Sequence, residues 1–132
     1  MTLIDTNILI YASGVNGNRE RQGIALATLE DTRQEGALAV QVLAEYSHVM
    51  LRNRVPLSTV RQDVLSLRTA WTILSPDAKT VGLALQGVEA HRLSFWDAML
   101  WALAKQNGLT VILSEDGPTG SVVDQVAFRS PF

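Results

Sequence analysis

The sequence predicts an α/β domain built on a mainly parallel sheet of four or five strands. Two observations lead there. Short apolar segments recur along the chain, and stretches of helical length separate them. That alternation is the mark of strands joined by helical crossovers. The chain also has 132 residues, 47% of them hydrophobic, which suits one ordered domain over residues 1–132. At this size about two thirds of the unfolded surface is buried on folding.

The elements follow in order. Thr2 to Ile4 reads as a buried strand, ended by Asp5-Thr6-Asn7, and Ile8 to Tyr11 continues as a hydrophobic run. Ser13 to Asn18 is a turn cluster rich in Gly and Asn. Arg19 to about Gln34 is helical, with Ile24, Ala25, Ala27, Thr28 and Leu29 as its apolar stripe, and Gly36 ends it. Ala37 to Val40 is a second strand. Val42 to Arg54 is helical, with Leu43, Tyr46, Val49 and Met50 inward, and Pro56 stops it. Ser58 caps a helix to about Thr69. Trp71 to Leu74 is strand-like.

Ser75-Pro76-Asp77 has the form of a helix start, with a serine cap, proline in the first position and an acid in the first turn. That helix reaches about His91. Ser94 begins another that closes at Asn107-Gly108. Leu109 to Leu113 is the clearest buried strand, and Ser114 to Pro118 is a turn. Val122 to Phe128 is a weaker last strand, interrupted by Asp124-Gln125.

Composition excludes several chemistries. The chain lacks cysteine, so disulfides, thiolate metal sites and cysteine nucleophiles are absent. Eleven Lys and Arg against thirteen Asp and Glu give a net charge of −2, so no broad basic footprint for nucleic acid exists. The apolar runs are far shorter than the roughly 20 residues of a membrane span. No basic leader precedes the first strand. A soluble, cytoplasmic protein is the expectation.

No Gly-rich phosphate loop and no nucleophile elbow occurs. His48 and His91 are too few for a histidine zinc site. A response-regulator receiver would need a strand-end lysine, which neither Lys79 nor Lys105 supplies. A haloacid-dehalogenase phosphatase would need an acid where Asn7 stands.

The informative residues are acids in apolar surroundings. Asp5 is embedded between two apolar runs, where a carboxylate must be bonded, paired or metal-bound; a turn-forming aspartate is the plainer alternative. Glu45 is the one charge in a hydrophobic stretch from Val40 to Met50, or else an ordinary exposed glutamate. Asp97 fits a capping box with Ser94, yet Phe95, Trp96, Ala98, Met99, Leu100 and Trp101 surround it with apolar bulk. Asp116 closes the best strand, as turn residue or ligand. In parallel sheets ligand sites lie beyond the carboxyl ends of strands, which is where Asp5 and Asp116 stand. An all-oxygen acidic set suits Mg²⁺ or Mn²⁺ and permits metal-assisted phosphodiester hydrolysis.

Four stretches then resemble one family. Ile4-Asp5-Thr6-Asn7-Ile8-Leu9, Gln41-Val42-Leu43-Ala44-Glu45-Tyr46, Leu93-Ser94-Phe95-Trp96-Asp97-Ala98 and Leu113-Ser114-Glu115-Asp116, with Gly120 beyond, are similar to PIN-domain ribonucleases, specifically VapC-type toxins of toxin–antitoxin pairs. They come in family order over nearly the whole chain. The resemblance implies a three-layer α/β/α sandwich. It implies that Asp5, Glu45, Asp97 and Asp116 hold Mg²⁺ or Mn²⁺ and carry catalysis. Asn7 matches the polar residue supporting the first acid, and Ser114 the hydroxyl residue before the fourth.

It further implies an RNA substrate cut to 5′-phosphate and 3′-hydroxyl ends, a homodimer, and a cognate antitoxin whose tail blocks the active site. Arg19, Arg21, Arg52, Arg54, Arg92 and Lys105 are the candidate RNA backbone contacts. Trp96 and Trp101 are expected to pack in the core or against a dimer partner. The competing expectation is a PIN-like module that binds RNA or protein without cutting.

Overall fold

The structure, a computed structural model, describes all 132 residues. Its elements are β1 (Thr2–Ile4), α1 (Thr6–Ser13), α2 (Arg19–Thr32), β2 (Gly36–Ala39), α3 (Val40–Arg52), α4 (Leu57–Ala70), β3 (Thr72–Leu74), α5 (Ala78–His91), α6 (Phe95–Gln106), β4 (Val111–Leu113), β5 (Val122–Val123) and β6 (Val126–Arg129). The sheet runs in the order β3-β2-β1-β4-β6-β5, with only β5 antiparallel to its neighbour. Helix α1 packs on α2 and on α3, α3 packs on α4, and α5 packs on α6, giving an α/β/α arrangement.

β1 lies at the centre because it can be buried on both faces. Thr2, Leu3 and Ile4 are all buried, and Ile4 pairs in register with Leu38 of β2 and Leu113 of β4. Strands buried along their whole length in this way belong inside a parallel sheet. The surrounding core draws on Ile8, Val42, Met50, Leu100, Ile112 and Phe128.

The chain departs from the sequence reading at several places, each for a local reason. Helix α4 starts at Leu57 after Pro56 with no side-chain cap bond, so Ser58 lies inside its first turn and does not cap it. The hydrophobic run after Asn7 is helix α1, because the Asp5 carboxylate accepts from Thr6 N and caps it. Gly14, at φ 76°, closes that helix by donating to Tyr11 O. Helix α3 starts at Val40 with no loop after β2, so the strand ends one residue early. Helix α5 is capped by Asp77, not Ser75. Asp77 and Thr80 bond each other's backbone N–H reciprocally, and proline stands outside the helix.

The weak final strand is two strands. Asp124 (φ 44°) and Gln125 (φ 73°) form a tight hairpin turn between β5 and β6, which makes the sheet six-stranded. Trp101 pins this hairpin. It is buried, and its indole N–H donates to Val123 O at 3.1 Å. Lys105 lies over the Trp101 ring and pairs with Asp124. Trp101 is thus a core residue of the chain itself, whereas Trp96 is exposed.

Gly87 on α5 makes room for that indole. A Cβ at residue 87 would meet Trp101 at 2.7 Å. Gly87→Val should therefore overpack the α5–α6 contact and destabilise the fold by about 1–3 kcal/mol, read as a lower urea midpoint. Trp101→Phe in the same chain should recover part of the loss.

Candidate active site

The strand order reverses at β1. From β1 the chain builds β2 and β3 to one side, then crosses to place β4 on the other. Such a switch point opens a crevice beyond the carboxyl ends of the two strands. Asp5 is the first residue past β1, and Ser114 is the first past β4. Parallel pairing brings them together: Asp5 N donates to Leu113 O at 2.9 Å, and the Ser114 hydroxyl donates to Asp5 Oδ2 at 2.8 Å. The other carboxylate oxygen, Oδ1, accepts from Thr6 N at 2.7 Å.

Thr6 links Asp5 to the second acid. Its buried hydroxyl donates to Glu45 Oε2 at 2.7 Å, and Gln41, one turn earlier on α3, donates to Oε1 at 3.4 Å. Glu45 faces this crevice because α3 leaves β2 without a loop. The third acid, Asp97, stands in the first turn of α6. Ser94 caps that helix by accepting from Asp97 N at 3.3 Å, and its hydroxyl donates to Asp97 Oδ2 at 2.8 Å. The reciprocal bond of a capping box is therefore replaced by a hydroxyl–carboxylate bond.

Gly117 marks how close these groups come. A Cβ built there would lie 3.5 Å from Ser114 Oγ and 3.6 Å from Asp97 Oδ1, so one methyl group would touch both. The electrostatics agree. Burial pushes the Asp5 carboxyl above its ordinary range. The bonds from Ser114 and Thr6 pull it back, and the Glu45 and Asp97 charges push it up further. The Glu45 and Asp97 charges thus both act on Asp5.

The remaining residues are placed differently. Asp116 is exposed in the turn after β4, makes no side-chain hydrogen bond, and is not among the charges acting on Asp5. Asn7 accepts from Glu115 N at 3.3 Å and makes no bond to Asp5. Arg19, Arg52, Arg54 and Arg92 are exposed and form no ion pair, while Arg21 pairs with Glu115 and Lys105 with Asp124. No three His, Cys, Asp or Glu side chains converge in metal-holding geometry.

Sequence reasoning missed Thr6 and Gln41. The signal for Thr6 was available: a hydroxyl between Asp5 and Asn7 in an apolar run is buried, and buried hydroxyls bond a neighbour. Gln41 gave only its i, i+4 spacing to Glu45.

The PIN domain model matches residues 2–118, a span that contains all four acids. The chain belongs to the PIN domain family. Solved structures share its fold. VapC20 of Mycobacterium tuberculosis, a sarcin-ricin loop cleaving toxin, matches at TM-score 0.71 and 21% identity, over 89% of this chain and 92% of that one. A toxin–antitoxin complex from Klebsiella pneumoniae matches at 0.75 and 17%, over 100% and 98%. FitAcB from Neisseria gonorrhoeae matches at 0.69 and 20%, over 99% and 98%. No curated protein matches.

The raised Asp5 carboxyl has a consequence for stability. With its folded-state pKa above the unfolded value, the PIN domain binds more protons folded than unfolded across that interval, so this group costs stability as pH rises. In chelator, the melting temperature of Asp5→Asn minus that of wild type should grow from pH 4 upward and level off above the folded-state pKa. A difference that stays flat or shrinks contradicts the assignment.

Proposed function

We propose that residues 1–132 form a single metal-dependent endoribonuclease domain, the toxin of a toxin–antitoxin pair. The observation that carries this reading is Asp5, raised by burial and by the charges of Glu45 and Asp97 at the switch point of the sheet. A half-buried carboxylate repelled by two neighbouring acids is the load that a divalent cation relieves. The donor set is entirely oxygen, as Mg²⁺ and Mn²⁺ require. Each bonded carboxylate oxygen also keeps a further lone pair. Asp5, Glu45 and Asp97 would hold the ion, with Asp116 joining from the flanking turn. The chemistry of the donor set fits such an ion, while the side chains as they stand do not converge on one point.

An ion so held supplies positive charge to a phosphate oxygen and to an incoming water. The chain's own residues do the positioning. Ser114 and Thr6 N–H fix both oxygens of Asp5, Thr6 and Gln41 fix Glu45, and Ser94 fixes Asp97. In this reading water attacks the scissile phosphorus in line and the 3′ oxygen departs, leaving 5′-phosphate and 3′-hydroxyl ends with no covalent intermediate. The unpaired Arg19, Arg52, Arg54 and Arg92 are the candidate phosphate contacts. Lys105 would first have to leave Asp124.

The fold is shared with a toxin of Mycobacterium tuberculosis and a toxin–antitoxin complex of Klebsiella pneumoniae, which supports a cognate antitoxin for this chain too; a homodimer and a cytoplasmic setting complete the proposal. No helix is long and apolar enough to cross a membrane. The second reading, a PIN-like module that binds RNA or protein without cutting, is favoured by one observation: Asp5 and Glu45 are satisfied by internal hydrogen bonds, and no three ligands converge.

One experiment separates the two. Purified wild type should cleave cellular RNA at discrete sites only with Mg²⁺ or Mn²⁺, and Asp5→Asn should lose about a hundredfold or more of that rate while staying folded. Metal-loaded wild type that cuts no RNA favours the binding module. In cells, expression without antitoxin should arrest growth and Asp97→Ala should relieve the arrest. Arrest that persists in the variant places the toxicity elsewhere.

A further inference from the structure

Ser114 and Asp116 are carried by a turn that a separate cluster ties down. Glu115, between them, is held three ways. Its N–H donates to Asn7 Oδ1 at 3.3 Å, the Tyr11 hydroxyl donates to its Oε1 at 2.9 Å, and the Arg21 guanidinium pairs with that same oxygen. Arg21 in turn lies over two rings, 5.4 Å from the Tyr11 centroid and 4.9 Å from that of Phe132, and those rings meet edge to face at 4.9 Å. The ion pair is largely covered, with side-chain exposures of 35% for Arg21 and 24% for Glu115. It is therefore less screened than an open surface pair.

A guanidinium suits this place because its flat face stacks on rings while its edge bonds a carboxylate. To reach an RNA phosphate, Arg21 would have to give up the Glu115 carboxylate and both ring faces together. The pair also sits one residue from Ser114, whose hydroxyl holds Asp5.

We propose that Arg21 is a positioning residue: with Tyr11, Asn7 and the terminal Phe132 it clamps Glu115, and so sets Ser114 against Asp5 and fixes where Asp116 stands. This role replaces phosphate contact for Arg21. Its catalytic consequence rests on the nuclease reading, whereas the clamp itself is a matter of geometry. Phe132 takes part through its ring alone, against Tyr11 and under Arg21.

The test uses the full chain with Arg21→Ala, Arg21→Lys, Glu115→Ala, the Arg21→Ala/Glu115→Ala double variant, and the charge swap Arg21→Glu/Glu115→Arg. Two readouts are needed: amide exchange at Glu115 and Gly117 by NMR, and kcat, KM and salt dependence on RNA. The clamp predicts that either alanine variant speeds exchange and lowers kcat by about tenfold, a usual loss for a group supporting a site residue, with KM unchanged. The double variant should be no worse than either single, the swap should recover most of both losses, and Arg21→Lys should fall between.

Several results overturn it. A raised KM and a shallower salt dependence with exchange unaltered make Arg21 a phosphate contact. Additive losses, or a swap that recovers nothing, remove the ion pair as the cause. A lower melting temperature with kcat and exchange unchanged leaves only a structural role, and no change in any readout makes Arg21 a bystander. Wild type that never cleaves RNA ends the nuclease reading, and the exchange rates still decide the clamp.

Discussion

A carboxylate at the end of a wholly buried central strand constrains everything around it. Asp5 emerges from β1 into a half-buried place where ionisation is penalised. Its two oxygens must be bonded, and the donors come from opposite directions: Thr6 N–H from the helix it caps, Ser114 from the neighbouring strand. The first bond starts α1. The second requires that β4, not another strand, lie beside β1. The sheet order and the placing of one acid are therefore a single requirement.

The other acids depend on abrupt junctions. Helix α3 begins at Val40 directly after β2, which aims Glu45 back toward Thr6. Helix α6 begins at Phe95 after the Ser94 cap, which commits Asp97 to the first turn. Neither junction has slack, so neither acid can drift far from Asp5. Gly117 keeps the remaining space open between Ser114 and Asp97.

Much of this was legible in the residues. Apolar strands alternating with helices led to the parallel sheet, and acids stranded in apolar runs led to Asp5, Glu45 and Asp97. What escaped was decided by competition between local signals. Asp5 reads as a turn residue, yet its carboxylate caps a helix through a hydrophobic run that carried no assignment of its own. Ser75-Pro76 reads as a helix start, yet Asp77 and Thr80 satisfy two backbone donors at once. The Asp124-Gln125 break reads as an interruption, yet with both residues at positive φ it is a hairpin. Asn7 was expected beside Asp5. It reaches instead to Glu115, a partner far along the chain that no local pattern encodes.

The hairpin sets one edge of the sheet. The sheet ends on one side in β5, two residues long, and on the other in β3, three residues long. Each edge offers only a brief row of backbone groups for another strand to join. Growth of the sheet from molecule to molecule is therefore blunted at both ends.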